Sequence, residues 1–408
     1  MIRFNLSPRL LPSFGLLFSI ILYTVLCLLA AYSVDGNVVG ITSDFDFYNN
    51  AIVRGLNGHV SELSRQLFQQ SPYIDPSYRA GWVATPFYSY LFLSPIWLFG
   101  SQALFGLLGW LVGSLTIFSF YRIIRFRLSP LPRGIEFMLL LVLPLNFNFI
   151  VDSLAVSTMS VAAMFIVSAF ATASPVLRAF LLVCAAMTRS NYLIAAFCFL
   201  VVLAVFKPSG ARQFFLVLLP SLAITATFYL LFYSSYPGSG LNYLFSTVYQ
   251  GLDYAQPQGV EIARSTLGID SEDSLFRAEI GFPELIRLFS TPKAWAYVLN
   301  VWALKVSVAL GFVHEKLFQS DHGIWLAKAW RTLFFVSVSL PGVYLSLIVS
   351  LFCKIPMTER AMYAWAFLYL AFNSLLIGDP RYLMGVYMIF VFGMARLIAV
   401  VRHLTSSA

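Results

Sequence analysis

Charge is what this sequence has least of: 11% of its 408 residues are Asp, Glu, Lys or Arg, against about a quarter in a soluble globular domain. So dilute a charge cannot cover a water-facing surface, which excludes soluble multidomain architectures at the first step. Cysteine is scarce as well. Cys27, Cys184 and Cys198 lie inside apolar runs and Cys353 at the end of one, so neither a disulfide framework nor a CxxC metal site is indicated. His59, His314, His322 and His403 show no ligand spacing. Internal repeats and low-complexity segments are also lacking.

What fills the chain instead is apolar: 59% hydrophobic residues, with 39 Phe and 21 Tyr. Runs near the roughly 20 residues that cross a bilayer occupy 14–34, 101–121, 135–151, 154–173, 213–233, 332–352, 361–378 and 382–401. The first reads as a retained span, because Phe14–Tyr32 is long for a signal-peptide core and lacks a small-residue cleavage site. The stretch 177–206 is interrupted at Thr188-Arg189-Ser190-Asn191. Too long for one helix and short for two, it reads as a broken pair with its polar break near the outer side, tolerated only where protein or a water-filled cavity lines it. The expectation is an all-α integral membrane fold. It is a multi-span helical bundle with about ten crossings, amphipathic helices in its outer loops, and one polytopic domain over 1–408.

The formal charge of +8 does not indicate nucleic acid, because the basic residues sit in short stretches between apolar runs. Arg3, Arg9, Arg122, Arg125, Arg127, Arg133, Arg178, Lys207, Arg212, Lys354, Arg360 and Arg402 fall on one side if the spans alternate. The positive-inside rule makes that side cytoplasmic, both termini included. Of 18 acidic residues only Glu136 and Glu359 share it. Outer loops then cover 35–100 and 234–331. The apolar 85–99 is placed at the outer interface, since a crossing there would move the Arg122–Arg133 cluster outside. The segment 294–313, with Lys305 mid-run, is placed along the membrane or partway into it. Within the first loop, Phe45, Tyr48, Ile52 and Leu56 form one helical stripe, and Val60, Leu63, Leu67 and Phe68 another.

Chemistry concentrates just beyond the first span, in Ser43-Asp44-Phe45-Asp46-Phe47-Tyr48. Two carboxylates one residue apart share a face when extended and diverge when helical. One can take a proton from an attacking hydroxyl; equally, Asp44 can cap a surface helix and Asp46 face solvent. Arg189, inside an apolar region beside Asn191, either faces a cavity or snorkels to the interface. A guanidinium suits a phosphate by two parallel hydrogen bonds. Arg381, in the short outer turn Gly378-Asp379-Pro380-Arg381-Tyr382, can serve the same end or pair with Asp379. Lys305 and His314 complete the candidates. Aromatics such as Trp82, Tyr88, Trp295 and Trp325 read as an interfacial belt in preference to sugar platforms.

Asp44-Phe45-x-x-Tyr48-x-x-Ala51, Gly58, Ala84-Thr85-Pro86-Phe87 and Pro95 resemble the opening of the GT-C superfamily of membrane glycosyltransferases. The nearest likeness is to the polyprenyl-phosphate-mannose-dependent branch, although Pro86 stands alone where that branch is richer in proline. Ala185-Ala186-Met187-Thr188-Arg189-Ser190-Asn191 resembles a GT-C broken helix, and Thr291-Pro292, Tyr297 and Lys305 resemble the late outer loop of protein mannosyltransferases. The resemblance implies an inverting transferase that takes a sugar, mannose first among the candidates, from a polyprenyl-phosphate-linked donor. The acceptor would be a glycan, lipid or protein on the non-cytoplasmic face of the plasma (inner) membrane. By the same resemblance Asp44, then Asp46, is the base. Arg189, Arg381 and Lys305 are the candidates to meet the donor phosphate, and Tyr48 and Asn191 to contact substrate. An Asp-x-Asp such as Asp44-Phe45-Asp46 can hold a divalent ion, but the mannosyltransferase branch mostly does without one, so neither metal nor other cofactor is expected. A glycolipid transporter or flippase, and a polysaccharide polymerase, are the competing functions. The long outer loops and lack of repeat symmetry count against the transporter.

Overall fold

In a bilayer every backbone polar group needs an internal partner, which favours helices. The computed structural model describes residues 11–33, 102–126, 128, 131–154, 156–188, 192–206, 211–234, 249, 256–268, 282–309, 333–376 and 383–407, and among them it contains helices and no strand. The helices are α1 (Leu11–Ser33), α2 (Gln102–Phe126), α3 (Arg133–Val142), α4 (Phe147–Leu154), α5 (Thr158–Ala171), α6 (Pro175–Thr188) and α7 (Tyr192–Phe206). They continue as α8 (Ala211–Ser234), α9 (Gln256–Leu267), α10 (Phe282–Phe289), α11 (Pro292–Ala309), α12 (Leu340–Phe352), α13 (Met357–Leu376) and α14 (Met384–Ser407). Among the described residues three segments are long and apolar enough to cross a membrane: Phe14–Tyr32, Gly106–Phe126 and Met384–Val401. Shorter apolar helices accompany them at Thr158–Ala171, Pro175–Thr188, Tyr192–Phe206, Phe215–Thr227 and Val336–Phe352.

Two of the expected spans take a different form. The run 135–151 is not one helix but α3 and α4, separated by a turn at Leu143–Leu145. Pro144 lies in that turn and has no N–H to continue an α-helical ladder. The run 154–173 contains the 14-residue α5, whose start is set by Ser157: its hydroxyl accepts from the Ser160 amide at 3.1 Å. Proline also explains the irregular start of the 332–352 run. A π-helical turn over Phe335–Ser339 precedes Pro341 and absorbs its missing donor.

The core sits around α5, twelve of whose fourteen residues are buried. Helices α2, α4, α6 and α14 pack against it. Helix α1 buries one stripe, Gly15, Ser19, Tyr23 and Cys27, spaced by four. Phe14, Leu17, Phe18, Ile21, Val25, Leu28 and Leu29 face outward. With lipid as apolar as leucine, such helices associate through polar hydrogen bonds and small residues. Both devices are present. The Ser19 hydroxyl donates to the Leu140 carbonyl at 2.6 Å, Tyr23 and Ser153 share a 2.7 Å hydrogen bond, and Trp110 donates to Thr24 at 2.9 Å. Between α12 and α14, Gly342 lies against Phe390 and Gly393 against Ser346, whose hydroxyl donates to the Phe390 carbonyl at 2.9 Å.

Part of the segment 234–331 forms a second, smaller core. Tyr249, Val260, Ala263, Leu288, Ala294, Tyr297, Val298 and Val301 are buried together across α9, α10 and α11. Tyr249 donates to the Gly259 carbonyl at 2.7 Å, and Gly259 lies so close to the Tyr297 ring that a larger residue there would collide with it.

Arginines finish the helices at one end of the bundle. Arg178 donates to the Ala169 and Thr172 carbonyls at the end of α5, and Arg360 to the Cys353 carbonyl after α12. Arg396 donates to the Leu128 carbonyl beyond α2 and holds Glu359 through contacts of 2.6 to 3.1 Å. Each supplies donors to carbonyls that a helix C-terminus leaves unpaired. Leu128, Glu359 and Arg396 therefore meet at one end of the bundle.

Candidate functional site

The opposite end of the bundle is the one where α2 begins and α13 finishes. Among the sequence candidates only Lys305 falls within the described residues; Asp44, Asp46, Tyr48, Arg189, Asn191, Arg381 and His314 lie outside them. What the structure supplies is the frame of helices that precede and follow several of these positions in the chain.

That frame is built on α7 and α13. Helix α6 ends at Thr188 and α7 begins at Tyr192, both buried, so two helices flank the Arg189-Ser190-Asn191 interruption. The Tyr192 ring stacks on Tyr369 with centroids 5.9 Å apart, and Tyr369 stacks on Trp365 at 5.6 Å. The Trp365 indole donates to the Ala195 carbonyl at 2.7 Å. These contacts run in opposite chain directions, so α7 and α13 are antiparallel. Trp365, Tyr369 and Asn373 recur every four residues and share one face. Asn373 is consequently one turn past the tyrosine stack, at the level where α6 stops and α7 starts.

Asn373 is fully buried, and neither its amide oxygen nor its amide nitrogen has a hydrogen-bond partner. An unmet buried amide costs about 1–3 kcal/mol. Such a group persists for a reason, because a packed leucine would fit an apolar helix better. Its donors and acceptor together match a hydroxyl, which also both gives and takes a hydrogen bond.

Lys305 is 3% exposed and sits on another side of α13. Trp302 and Lys305, three apart on α11, donate to the Ala371 and Leu375 carbonyls, four apart on α13, at 2.9 and 3.3 Å. Leu375 is in the last turn of α13, where carbonyls lack helical partners and a cation complements the dipole. Lys305 thereby docks the smaller core onto the bundle. At about 100° per residue, Asn373 points roughly 200° away from the carbonyls that α11 engages. The helix end thus carries two polar groups on two faces. Within the smaller core, burial pushes the Tyr297 phenol up to about 12 and Tyr249 higher still, so both stay neutral in ordinary buffers.

A buried carboxylate lies at the same end. Asp152, 6% exposed, is on α4, and its backbone carbonyl accepts from the Ser157 amide at 2.9 Å and the Ser160 hydroxyl at 2.8 Å. The turn that follows holds Val156 at φ 47°, a left-handed backbone that a β-branched residue adopts only under strain. Sequence reasoning singled out neither Asp152 nor Asn373. The signal available was a lone polar residue inside an apolar run, as it was for Arg189.

No family model matches the chain, and neither the curated proteins nor the solved structures yield a match.

Proposed function

We propose that the chain is an inverting glycosyltransferase that moves a sugar from a polyprenyl-phosphate carrier to a glycan, lipid or protein acceptor. The proposal includes about ten membrane crossings, a plasma (inner) membrane location and a site on the non-cytoplasmic face. The observation that carries it is the interrupted α6–α7 pair beside the Tyr192–Tyr369 stack and the buried, unpartnered amide of Asn373. A polar break within apolar helices belongs to a cavity lined by protein or water, and a free amide there suits a sugar hydroxyl. The GT-C-like motifs supply the chemistry.

In this reading Asp44, with Asp46 as the second choice, takes the proton from the acceptor hydroxyl as its oxygen bonds to the anomeric carbon. The bond from that carbon to the carrier phosphate breaks, and polyprenyl phosphate leaves with the electron pair. Arg189 and Arg381 meet the charge that develops on it, and Lys305 adds a cation at the same end. Tyr48 and Asn191 contact the substrate. The end bearing Arg178, Arg360 and Arg396 faces the cytoplasm.

Incubation of purified protein with labelled polyprenyl-phosphate sugars tests the reading directly. Consumption of one donor with release of polyprenyl phosphate is expected; folded protein that consumes none of them refutes it. Asn373→Leu is expected to keep or raise the thermal unfolding midpoint, since it removes an unmet amide, while lowering transfer at least tenfold. A lower midpoint with normal transfer would reduce Asn373 to a structural residue. Arg189→Ala is expected to raise the KM for the lipid donor, with Arg189→Lys recovering it only in part because the planar fork is lost. Unchanged donor kinetics in the alanine variant would remove Arg189 from the phosphate site.

A further inference from the structure

At the arginine-rich end, α1, α2 and α3 border a shallow cleft, partly open to the surroundings. Its lining combines Tyr121, Arg125, Arg133 and Glu136 with the apolar Ile124, Phe137 and Leu140 over Gly15. The cleft lies where the Phe14–Tyr32 segment begins and the Gly106–Phe126 segment ends, which is the level of a membrane boundary. Its charge is unbalanced. Two guanidinium groups face one carboxylate, and Arg125 lies 3.8 Å from Glu136 with its side chain 42% exposed. The pair is long and exposed on its arginine side, while the Glu136 side chain is 12% exposed. The apolar lining continues onto the lipid-facing surface. Phe18 lies 5.9 Å from Phe137 between ring centroids and 6.5 Å from Phe14, and both α1 phenylalanines are exposed.

A cleft that is cationic at its mouth and aromatic along one side, at a bilayer's edge, fits an amphipathic anion. We infer that it holds an anionic phospholipid, with Arg125 and Arg133 on the headgroup phosphate and an acyl chain along Phe14, Phe18 and Phe137. A guanidinium can engage phosphate through two parallel hydrogen bonds, and basic pockets between membrane helices on the cytoplasmic side collect anionic headgroups. Glu136 opposes the anion, so its removal strengthens binding. That sign separates a lipid site from an internal ion pair, which the same change would weaken.

The test uses the full chain in detergent micelles with equal amounts of phosphatidylglycerol and phosphatidylcholine, the retained lipid being counted by native mass spectrometry. The unaltered protein is expected to keep phosphatidylglycerol in preference. Arg125→Gln with Arg133→Gln is expected to lower that preference about thirtyfold, at about fivefold for each cation near a membrane surface, and Glu136→Gln to raise it. Equal retention of the two lipids, an unchanged preference in the double variant, or weaker retention in Glu136→Gln overturns the proposal. Inorganic phosphate that strips the lipid as readily as added phosphatidylglycerol also overturns it, because the acyl contacts would then count for nothing. Should the double variant fail to fold, a photoreactive phosphatidylglycerol on the unaltered chain decides. Crosslinks within 14–18, 121–125 or 133–140 uphold the site, and crosslinks confined elsewhere refute it.

Discussion

Asp44→Asn is expected to lower sugar transfer by roughly a hundredfold or more, the scale on which a general base contributes, while donor binding survives. Asparagine keeps the shape of the side chain and a hydrogen bond but cannot take the acceptor's proton. Asp44 lies ten residues past the end of the 14–34 apolar run, near the outer surface on the proposed topology. A carrier phosphate would sit there with its polyprenyl tail in the bilayer. A helix beginning at Ser43 would turn its positive end towards this carboxylate and keep it ionised. The same field would lower its basicity, so on the proposed reaction it would work through close contact with the hydroxyl. Asp46→Asn is expected to be milder. Initial rates and donor binding measured on both variants check this. Normal transfer in Asp44→Asn with loss in Asp46→Asn exchanges the roles, and normal transfer in both removes the enzymatic reading of this loop.

Arg396→Met is expected to cost about 3–5 kcal/mol of stability, the range for removing one partner of a buried ion pair. The Glu359 carboxylate is fully buried, and Arg396 grips both of its oxygens, with Nε 3.1 Å from each and a terminal nitrogen 2.6 Å from Oε2. Tyr363 donates to Oε1 at 3.0 Å, and Arg396 also reaches the Leu128 carbonyl at 3.0 Å. One guanidinium therefore ties the end of α2 and the start of α13 to the middle of α14. Without it a charge is left buried beside a tyrosine and little else. Adding Glu359→Gln removes that charge, so the double variant is expected to lose well under the sum of the two single losses. Denaturation of the four proteins in one detergent, treated as a double-mutant cycle, measures the coupling. Losses that add, with coupling below about 0.5 kcal/mol, would show that the cluster does not hold these helices together.

The candidate site and the bundle differ in how far they could be read in advance. Lys305 reads in sequence as a charge in an apolar run, yet its carbonyl partner is on α13, 70 residues further along. Asn373 and Arg396 stand in runs otherwise so apolar that each reads simply as part of a helix. Their importance comes from burial and from neighbours that lie 37 to 268 residues away in the chain for Arg396, and a local pattern carries no information on either. Asp152 escaped for a further reason: it falls at the junction of two apolar runs, where an exposed carboxylate would be unremarkable.

By itself, the sequence determined the helical, apolar character of the chain and most helix positions. The runs 14–34, 101–121, 213–233, 361–378 and 382–401 correspond to helices at 11–33, 102–126, 211–234, 357–376 and 384–407, and the polar break after Thr188 separates α6 from α7. Length and hydrophobicity act locally, since each apolar segment must satisfy its own backbone whatever it packs against. Only the tertiary structure decided that Pro144 splits one run into α3 and α4, that α5 is the central helix, and which polar groups meet. It brought Glu359 to Arg396 and Lys305 to the end of α13, and left the buried Asn373 amide without a partner beside the tyrosine stack. Partner choice depends on which helix faces are brought together in space, and with lipid as apolar as the helices, small residues and hydrogen bonds make that choice where hydrophobicity cannot.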